Sequence, residues 1–512
     1  MGKDDLLSDL PRGRDGKTLG TPPFSYFELP LNLAATKSLQ FEPRQNREGK
    51  IFLGVTGGTV LDDPHTGGRA KRFVRGGTTL GILDDRHHLI LAGSRSGKGR
   101  AVLLPNLYLA PANASILCVD PKGENTRLSA EYRASLQKVA VLDPTGASGD
   151  AATKYKASFN PLNMVARCER WRMVPYARVI ADSLIVPGDF KDRHWDVTSM
   201  SFLAALVVHV ATWQRYEKCR DLVTVRQLIT EASSPSAPGG KDRWLETEML
   251  SNTTASNFVR NGATQFYQRA NAEYSSVLST LRKHTEFLDL EFIQDSICGD
   301  GIDLRDLKRG ALTIYAVVEA MMMSTLSGWL RMLVQLSIAA HEQERTQIGP
   351  SSLLMIDEFS AIGRLEILEV AAAQIAGLGA KLMPVIQDLS QLKSKYPKSY
   401  ETFIANAGGC KYLGSTTTRL VNTHLANSAQ RRHSHDRRTR LRLIKPRSKG
   451  VTGESWAVSN HPLLDPEEVS RFFARDDHKL RQLILRPGFR PAVIQRAYYD
   501  KHEIFKGGAG NE

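Results

Sequence analysis

The chain has 512 residues, and its 68 lysines and arginines against 54 acids give a formal net charge of +14 with a pI near 9.5. An apolar fraction of 41% with 24% charged residues excludes a disordered chain, and the length suits about two or three domains, each with its own core. The basic excess points to a polyanionic partner, nucleic acid or an anionic membrane surface. Five scattered cysteines without C-x-x-C spacing argue for a reducing compartment and against a zinc site.

Residues 1–80 read as a loop-rich leading segment, with strand character at Ile51–Val55 and glycine pairs marking turns. The first 50 residues lack the apolar core of a signal peptide. From His87 to Leu107, HHLILAGSRSGKGRAVLLPNL, a buried strand at Leu89–Leu91, a glycine-rich turn and a helix from Arg100 follow one another. That order suits a nucleotide phosphate, because backbone N–H groups of the turn and the helix N-terminus point at the anion and Lys98 adds a full charge. The candidate phosphate-binding residues are Gly93, Ser94, Arg95, Ser96, Gly97, Lys98, Gly99 and Arg100. Ala92 replaces the first glycine of the G-x-x-x-x-G-K-[ST] pattern, and Gly99 stands where a hydroxyl would hold magnesium. The metal would then lean on water, phosphate oxygens and a carboxylate elsewhere.

Apolar runs at Ala114–Asp120 and Val139–Asp143 predict two more buried strands, and such strands alternating with helices indicate a parallel sheet covered on both faces. From Asn163 to Cys298 the pattern is helical, which predicts an all-helical insert over 164–299 acting as a recognition module. Ser199–Trp213 places Phe202, Leu203, Leu206, Val207 and Val210 on one stripe. Ser233–Gly240 is a flexible break, and Trp195, Trp213 and Trp244 are expected in the insert's core. Two greasy segments, Met200–Trp213 and Ala311–Ala340, are expected as core elements. The first is too short for a bilayer and the second carries Glu319 and Arg331.

Strands return at Ala311–Val318 and Leu353–Ile356, the latter ending in Asp357-Glu358. Carboxylates at the C-terminal edge of a central strand sit where open α/β sheets bind ligands. Asp357 is the natural magnesium partner and Glu358 the residue to polarise water. Asp120 also ends an apolar strand and competes for the metal role. A further strand at Ala380–Ile386 ends in Gln387, whose amide suits a γ-phosphate sensor or simply terminates the strand. The run Arg431–Lys449, RRHSHDRRTRLRLIKPRSK, sets nine basic residues against Asp436 and reads as a loop that grips DNA phosphates through Arg431, Arg432, Arg437, Arg438, Arg440 and Arg442.

The ordered set LILAGSRSGKG, ILCVDPKGEN, SFNPLN, HWD, IDLRDLKRG, LLMIDEFSAIGRLEIL, VIQDLSQL, ETFIANAG and HPLLDPEEV resembles the TraG-type coupling proteins of type IV secretion, from about Gly81 to Phe505. The resemblance implies a RecA-like ATPase domain over 81–163 and 300–505, α/β with a parallel sheet, interrupted by the helical insert. It implies a homo-hexameric ring that uses ATP and Mg2+ to pass relaxase-bound DNA, single-stranded in form, or effector proteins to a secretion channel. Carried over by position, Lys98 would bind phosphate, Asp357 magnesium, Glu358 would activate water and Gln387 would act as sensor. The family accepts glycine at position 99 and begins with transmembrane helices. No segment here reads as a span, so the expectation is a peripheral protein at the cytoplasmic face of the bacterial inner membrane, or a cytoplasmic one. The loop Gly377–Ala380, where some relatives supply an arginine to a neighbouring subunit, contains none, and Arg364 is the substitute. The rival readings are a DNA translocase or packaging motor outside secretion, and a non-hydrolysing substrate adaptor.

Overall fold

The computed structural model describes residues 27–63, 71–188, 193–231, 244–255, 257–365, 374–414, 432–438, 455–461, 464 and 466–506. Its strands are β1 (Ile51–Thr56), β2 (Thr59–Asp63), β3 (Lys71–Arg75), β4 (Thr78–Ile82), β5 (His88–Ala92), β6 (Ile116–Asp120), β7 (Lys138–Leu142), β8 (Leu312–Val317), β9 (Ser352–Ile356), β10 (Ala380–Ile386), β11 (Gly409–Leu413), β12 (Arg432–Arg438), β13 (Ser455–His461), β14 (Arg481–Leu485) and β15 (Ala492–Gln495). Eleven of them form one sheet in the order β4-β1-β15-β14-β11-β5-β10-β9-β6-β8-β7. From β11 to β7 every pairing is parallel; from β11 outward through β14, β15 and β1 to β4 every pairing is antiparallel.

The near-continuous apolar runs of the parallel strands are explained by burial on both faces. Side chains alternate across the pleat, so Leu89, Leu91, Leu117, Val119, Leu354 and Ile356 join the core shared with the helical insert. Ile90, Ala92, Ile116, Cys118, Leu353 and Met355 join the core shared with β1, β4 and the helix after the Gly-Lys loop.

Between β7 and β8 the described residues are helical. The insert is organised around the helix Arg193–Thr212, in which every residue from Phe202 to Ala211 is buried. It is buried all round there rather than along one stripe, because helices Met173–Leu184, Phe258–Tyr267 and Asn271–Thr285 pack against it. Among the described residues it is the one helix long and apolar enough to cross a membrane, and 67% of its apolar window is buried within the protein. Trp195, Trp213 and Trp244 are half-buried at the rim of this core, whereas Trp329, on the helix Ser327–Gln343 that lies under the insert, is fully buried. Two asparagines of the SFNPLN motif close the insert at its base. Asn160 Nδ2 donates to the carbonyls of Arg220 and Gly299, and Asn163 Nδ2 to those of Gly299 and Asp300, so the chain's entrance and exit are tied together. The break at Ser233–Gly240 lies outside the described residues.

Two expectations are corrected. The leading segment is not merely loop: residues 51–82 carry four strands, and β1 is locked into the main sheet by β4 and by β15, more than 400 residues further on. Such a partner leaves no trace in local sequence. The basic run is not a loop over 432–438, which is β12, paired antiparallel with β13 in a separate two-stranded sheet. Its alternation of charge with Ser434 and Asp436 is compatible with a strand, and the pairing segment starts only at Ser455. Arg431, Arg440 and Arg442 lie outside the described residues.

The helix after the Gly-Lys loop begins with a π turn over Gly99–Leu103, closed by Leu104 N–H to Gly99 O, and continues as an α-helix through Leu109. Pro105 has no N–H, so the Ala101 carbonyl loses its ordinary helical donor. Lys411, buried on β11, supplies a replacement: its Nζ donates to Ala101 O at 3.3 Å and to Leu53 O at 2.7 Å. Burial pushes its amine down from 10.5 to about 7. A depressed folded value means that the amine's contribution to stability is intact above 10.5 and is lost as pH falls through 7. Lys411→Met should therefore be less stable than the parent at pH 9, by about 1–3 kcal/mol for the orphaned carbonyls. The gap should narrow by pH 6, where only the parent carries a buried charge. Melting temperatures at the two pH values check this, and an equal gap at both would refute it.

Candidate nucleotide-binding site

β9, β10 and β5 are successive neighbours in the parallel sheet, so their C-terminal ends open onto one edge. That adjacency brings together residues separated by almost 300 positions. Lys98 Nζ lies 2.6 Å from Asp357 Oδ1 and 2.5 Å from Glu358 Oε1. Gln387 Nε2 donates to both oxygens of Glu358, at 3.0 and 2.8 Å. Burial opposes charge on Lys98, but the two carboxylates outweigh it and hold the ammonium above its ordinary value. Burial pushes the Asp357 carboxyl up, opposed by Lys98 and reinforced by Glu358.

Glu358 has φ of 54°, a left-handed conformation that L side chains adopt at a penalty of about 1–3 kcal/mol. Lys98 and Gln387 fix its side chain from two directions, and Glu358 N–H donates to Asp357 Oδ1 at 3.0 Å. The strain is thus spent on aiming one carboxylate along the edge of the sheet.

The turn between β5 and the π turn has the form of an anion cradle. Gly97 has φ of 86° and Arg95 of 57°, and Gly93 N–H donates to Leu413 O at 3.2 Å, which anchors the start of the turn to β11. Ser96 is 1% exposed, yet its Oγ has no hydrogen-bond partner among the described residues. A buried hydroxyl without a partner beside a lysine fits a phosphate oxygen. Ser94 and Arg95 are exposed at the tip.

Other predicted residues are placed differently. Arg100 is committed to the chain's end: its guanidinium meets Asp500 at 3.0 and 2.5 Å and lies 4.3 Å from the Tyr498 ring centroid. It therefore clamps the C-terminal segment over the cradle, and Tyr498 reaches to 3.6 Å from where a Cβ on Gly97 would sit. Asp120 accepts from Thr126 N–H and Oγ1, both at 2.8 Å, and from Asn125 Nδ2. Its carboxylate anchors the helix Glu124–Ala134, which leaves Asp357 as the acid beside the lysine. Arg364 is exposed just after the short helix Phe359–Ile362.

Asn125, Tyr498 and Asp500 were not singled out from the sequence. The Asn125 Oδ1 atom lies 3.9 Å from a Cβ built on Gly99, so a polar group flanks the position that lacks a hydroxyl. Its signal was present in the DPKGEN motif. Tyr498 and Asp500 carried none, because their proximity depends on β14 and β15 returning the chain to the sheet.

Residues 55–511 match the family described as Type IV secretory system Conjugative DNA transfer. The chain belongs to this family. It is 22% identical over 468 residues to the type IV secretion system-coupling protein VirD4 of Bartonella quintana, covering 88% of this chain and 70% of that protein. To the conjugal transfer protein TraG of Escherichia coli it is 26% identical over 336 residues, covering 60% of this chain and 49% of TraG. The chain thus spans about half of TraG and a larger share of VirD4. Among solved structures, the bacterial conjugative coupling protein TrwBdeltaN70, in complex with sulphate, superposes with a TM-score of 0.61 at 14% identity, covering 96% of this chain and 98% of that one. This coupling-family fold is RecA-like: a P-loop α/β sheet with an all-helical insert. TrwB has also been solved with a non-hydrolysable ATP analogue and with ADP and Mg2+.

Proposed function

We propose that this chain is a magnesium-dependent ATPase that drives DNA, single-stranded and relaxase-bound, or an effector protein, into a type IV secretion channel. The observation that carries the reading is the convergence of Lys98, Asp357, Glu358 and Gln387 at one edge of the sheet. A non-hydrolysable ATP analogue, and ADP with Mg2+, are ligands of the solved TrwB complexes, and the residues here fit ATP and Mg2+. The turn Ser94–Gly99, with the Ser96 hydroxyl that has no partner among the described residues, would take the phosphates, and Asp357 is the acid to hold the metal. Bound magnesium would supply charge neutralisation for the phosphate oxygens.

The chain's own residues do the rest. Lys98 exchanges a carboxylate for phosphate oxygens when nucleotide enters, which frees Glu358. The Glu358 carboxylate, aimed by Gln387, takes a proton from water as its oxygen bonds the γ-phosphorus, and the bridging P–O bond breaks to release ADP. Gln387 then senses the γ-phosphate through the same amide. Arg364, exposed close behind Glu358, is the candidate to reach a neighbouring subunit in a hexamer. The basic ribbon β12 and its flanking arginines are the candidate DNA grip, and the helical insert is the docking module for protein substrates or relaxase. The net charge of +14 suits peripheral attachment at the cytoplasmic face of the inner membrane. An intact lysine, acid pair and sensor disfavour a non-hydrolysing adaptor.

Full-length protein should hydrolyse ATP only with Mg2+, and single-stranded oligonucleotide should raise turnover several-fold. Phosphate release measured with and without DNA and metal checks both. Absence of hydrolysis under all conditions would favour the adaptor reading.

A further inference from the structure

A second cleft, of about 440 Å³, opens between the helical insert and the helix Ser327–Gln343. One wall is the last turn of the helix Asn271–Thr285, bearing Lys283 and His284; the other is the N-terminal turn of Ser327–Gln343, which Ser327 opens, with Ser324 and Thr325 ahead of it. That helix runs for 17 residues; its first N–H, of Ser327, meets Ser324 O at 3.4 Å, but Leu326 at its N-cap offers no side-chain acceptor, and the positive end of the helix dipole faces the cleft.

Arg331 forms the floor. It is 7% exposed; its Nε donates to Ser183 O and its Nη1 to Ile362 O, both at 2.8 Å, while Nη2 has no hydrogen-bond partner among the described residues. Among the described residues no carboxylate neutralises it there: burial pushes the guanidinium down to about 10, and only the Tyr396 hydroxyl opposes that effect. Among the described residues the acids nearby are Glu286, exposed on the rim, and Asp196, which accepts the Gly188 N–H at 2.8 Å and also faces His284. A buried guanidinium with an unused edge, flanked by an ammonium, an imidazole and a helix N-terminus, has the chemistry to hold an anion.

The same guanidinium touches the hydrolytic segment. Ile362 ends the short helix that starts directly after Glu358, and a Cβ on Gly363 would lie 3.0 Å from Arg331 Nη1, so only a glycine allows this approach without displacing the side chain. Ser183 belongs to the insert helix Met173–Leu184. Three edges of one side chain thus face the cleft, the insert and the Glu358 segment.

We propose that this cleft seats a phosphate group of the transported nucleic-acid strand on Arg331, Lys283 and His284, and that Arg331 transmits its occupancy to the segment bearing Glu358. The proposal rests on the reading of the chain as a DNA-driven ATPase. A phosphate fits better than a carboxylate, because its oxygens accept from the guanidinium, the ammonium and the Ser324 and Thr325 hydroxyls from several sides at once, the Ser327 hydroxyl being given to Ser324 O. Arg331 is a positioning residue for Glu358.

The test uses the full chain, a labelled oligothymidylate read by anisotropy, and ATP turnover with and without that DNA. Lys283→Gln/His284→Gln should weaken DNA binding and flatten the log-log salt dependence by about 0.7 for each phosphate no longer neutralised. Arg331→Lys keeps the charge but cannot span two carbonyls and a phosphate. It should bind DNA within about threefold of the parent while DNA stimulation of turnover falls at least fivefold, with a melting temperature close to the parent's. Pyrophosphate should compete with the oligonucleotide for the parent and not for the double variant. Parental affinity and salt slope in the double variant would overturn the site, as would competition by an acidic peptide but not by pyrophosphate. If Arg331→Lys fails to fold, the double variant alone decides. A parent that neither hydrolyses ATP nor binds DNA would instead overturn the proposed function itself.

Discussion

Glu358→Gln should lower ATP turnover by roughly 10²- to 10⁴-fold, the usual worth of a positioned general base, while leaving ATP bound at least as tightly as in the parent. The amide is isosteric, so the left-handed backbone at 358 and a hydrogen bond from Gln387 survive, and only the ability to take a proton is removed. Affinity is expected to hold or improve for a second reason. Lys98 is shared between two carboxylates at 2.6 and 2.5 Å, and neutralising one of them loosens the competition that an incoming phosphate must win. Single-turnover hydrolysis and binding of a fluorescent ATP analogue separate the two effects. Turnover within threefold of the parent would remove Glu358 from the mechanism.

Lys98→Ala should fail in the opposite way, with ATP affinity reduced by roughly tenfold to a hundredfold, as expected for about 1.5–3 kcal/mol from a charge-assisted hydrogen bond. It should also acquire a pH-dependent instability. Asp357 is 9% exposed, and burial already raises its carboxyl above 3.8 with Lys98 opposing. Without the ammonium the folded value rises further, and Glu358 stands beside it uncompensated. For an acid raised on folding, the stabilising contribution is complete below the unfolded value and is lost as pH rises through the folded one. The difference in melting temperature between parent and variant should therefore be small near pH 4.5 and large at pH 8. A constant difference across that range would show that Lys98 does not neutralise the acid pair.

The two variants draw on different parts of what the chain encodes. The phosphate cradle was legible from local order alone: an apolar strand, a glycine turn, a lysine and a helix start within 20 residues constrain one another through the backbone. The acid pair after β9 was legible for the same reason, since a buried parallel strand must be apolar throughout and a charged residue at its end marks the edge of the sheet. Gln387 carried a weaker signal, because any polar residue can end a strand. Only the placement of β10 between β5 and β9 sets its amide against both oxygens of Glu358. The same long-range pairing chose between Asp120 and Asp357, by turning the first inward to Thr126 and the second toward Lys98.

Sequence by itself thus determined the elements whose chemistry lies in contiguous residues: the parallel strands, the Gly-Lys loop, the paired carboxylates, the helical character of the insert and the basic excess. Tertiary structure alone decided the rest. It built β1 and β4 into a sheet edge whose partner β15 lies more than 400 residues further on, clamped Arg100 to Asp500, and put Lys411 under a carbonyl that Pro105 had orphaned. It also set Arg331 between the insert and the Glu358 segment. In each of these the interacting groups are distant in sequence, and burial is what makes their pairing obligatory: a buried charge or carbonyl must find a partner, and only the folded chain specifies which one is within reach.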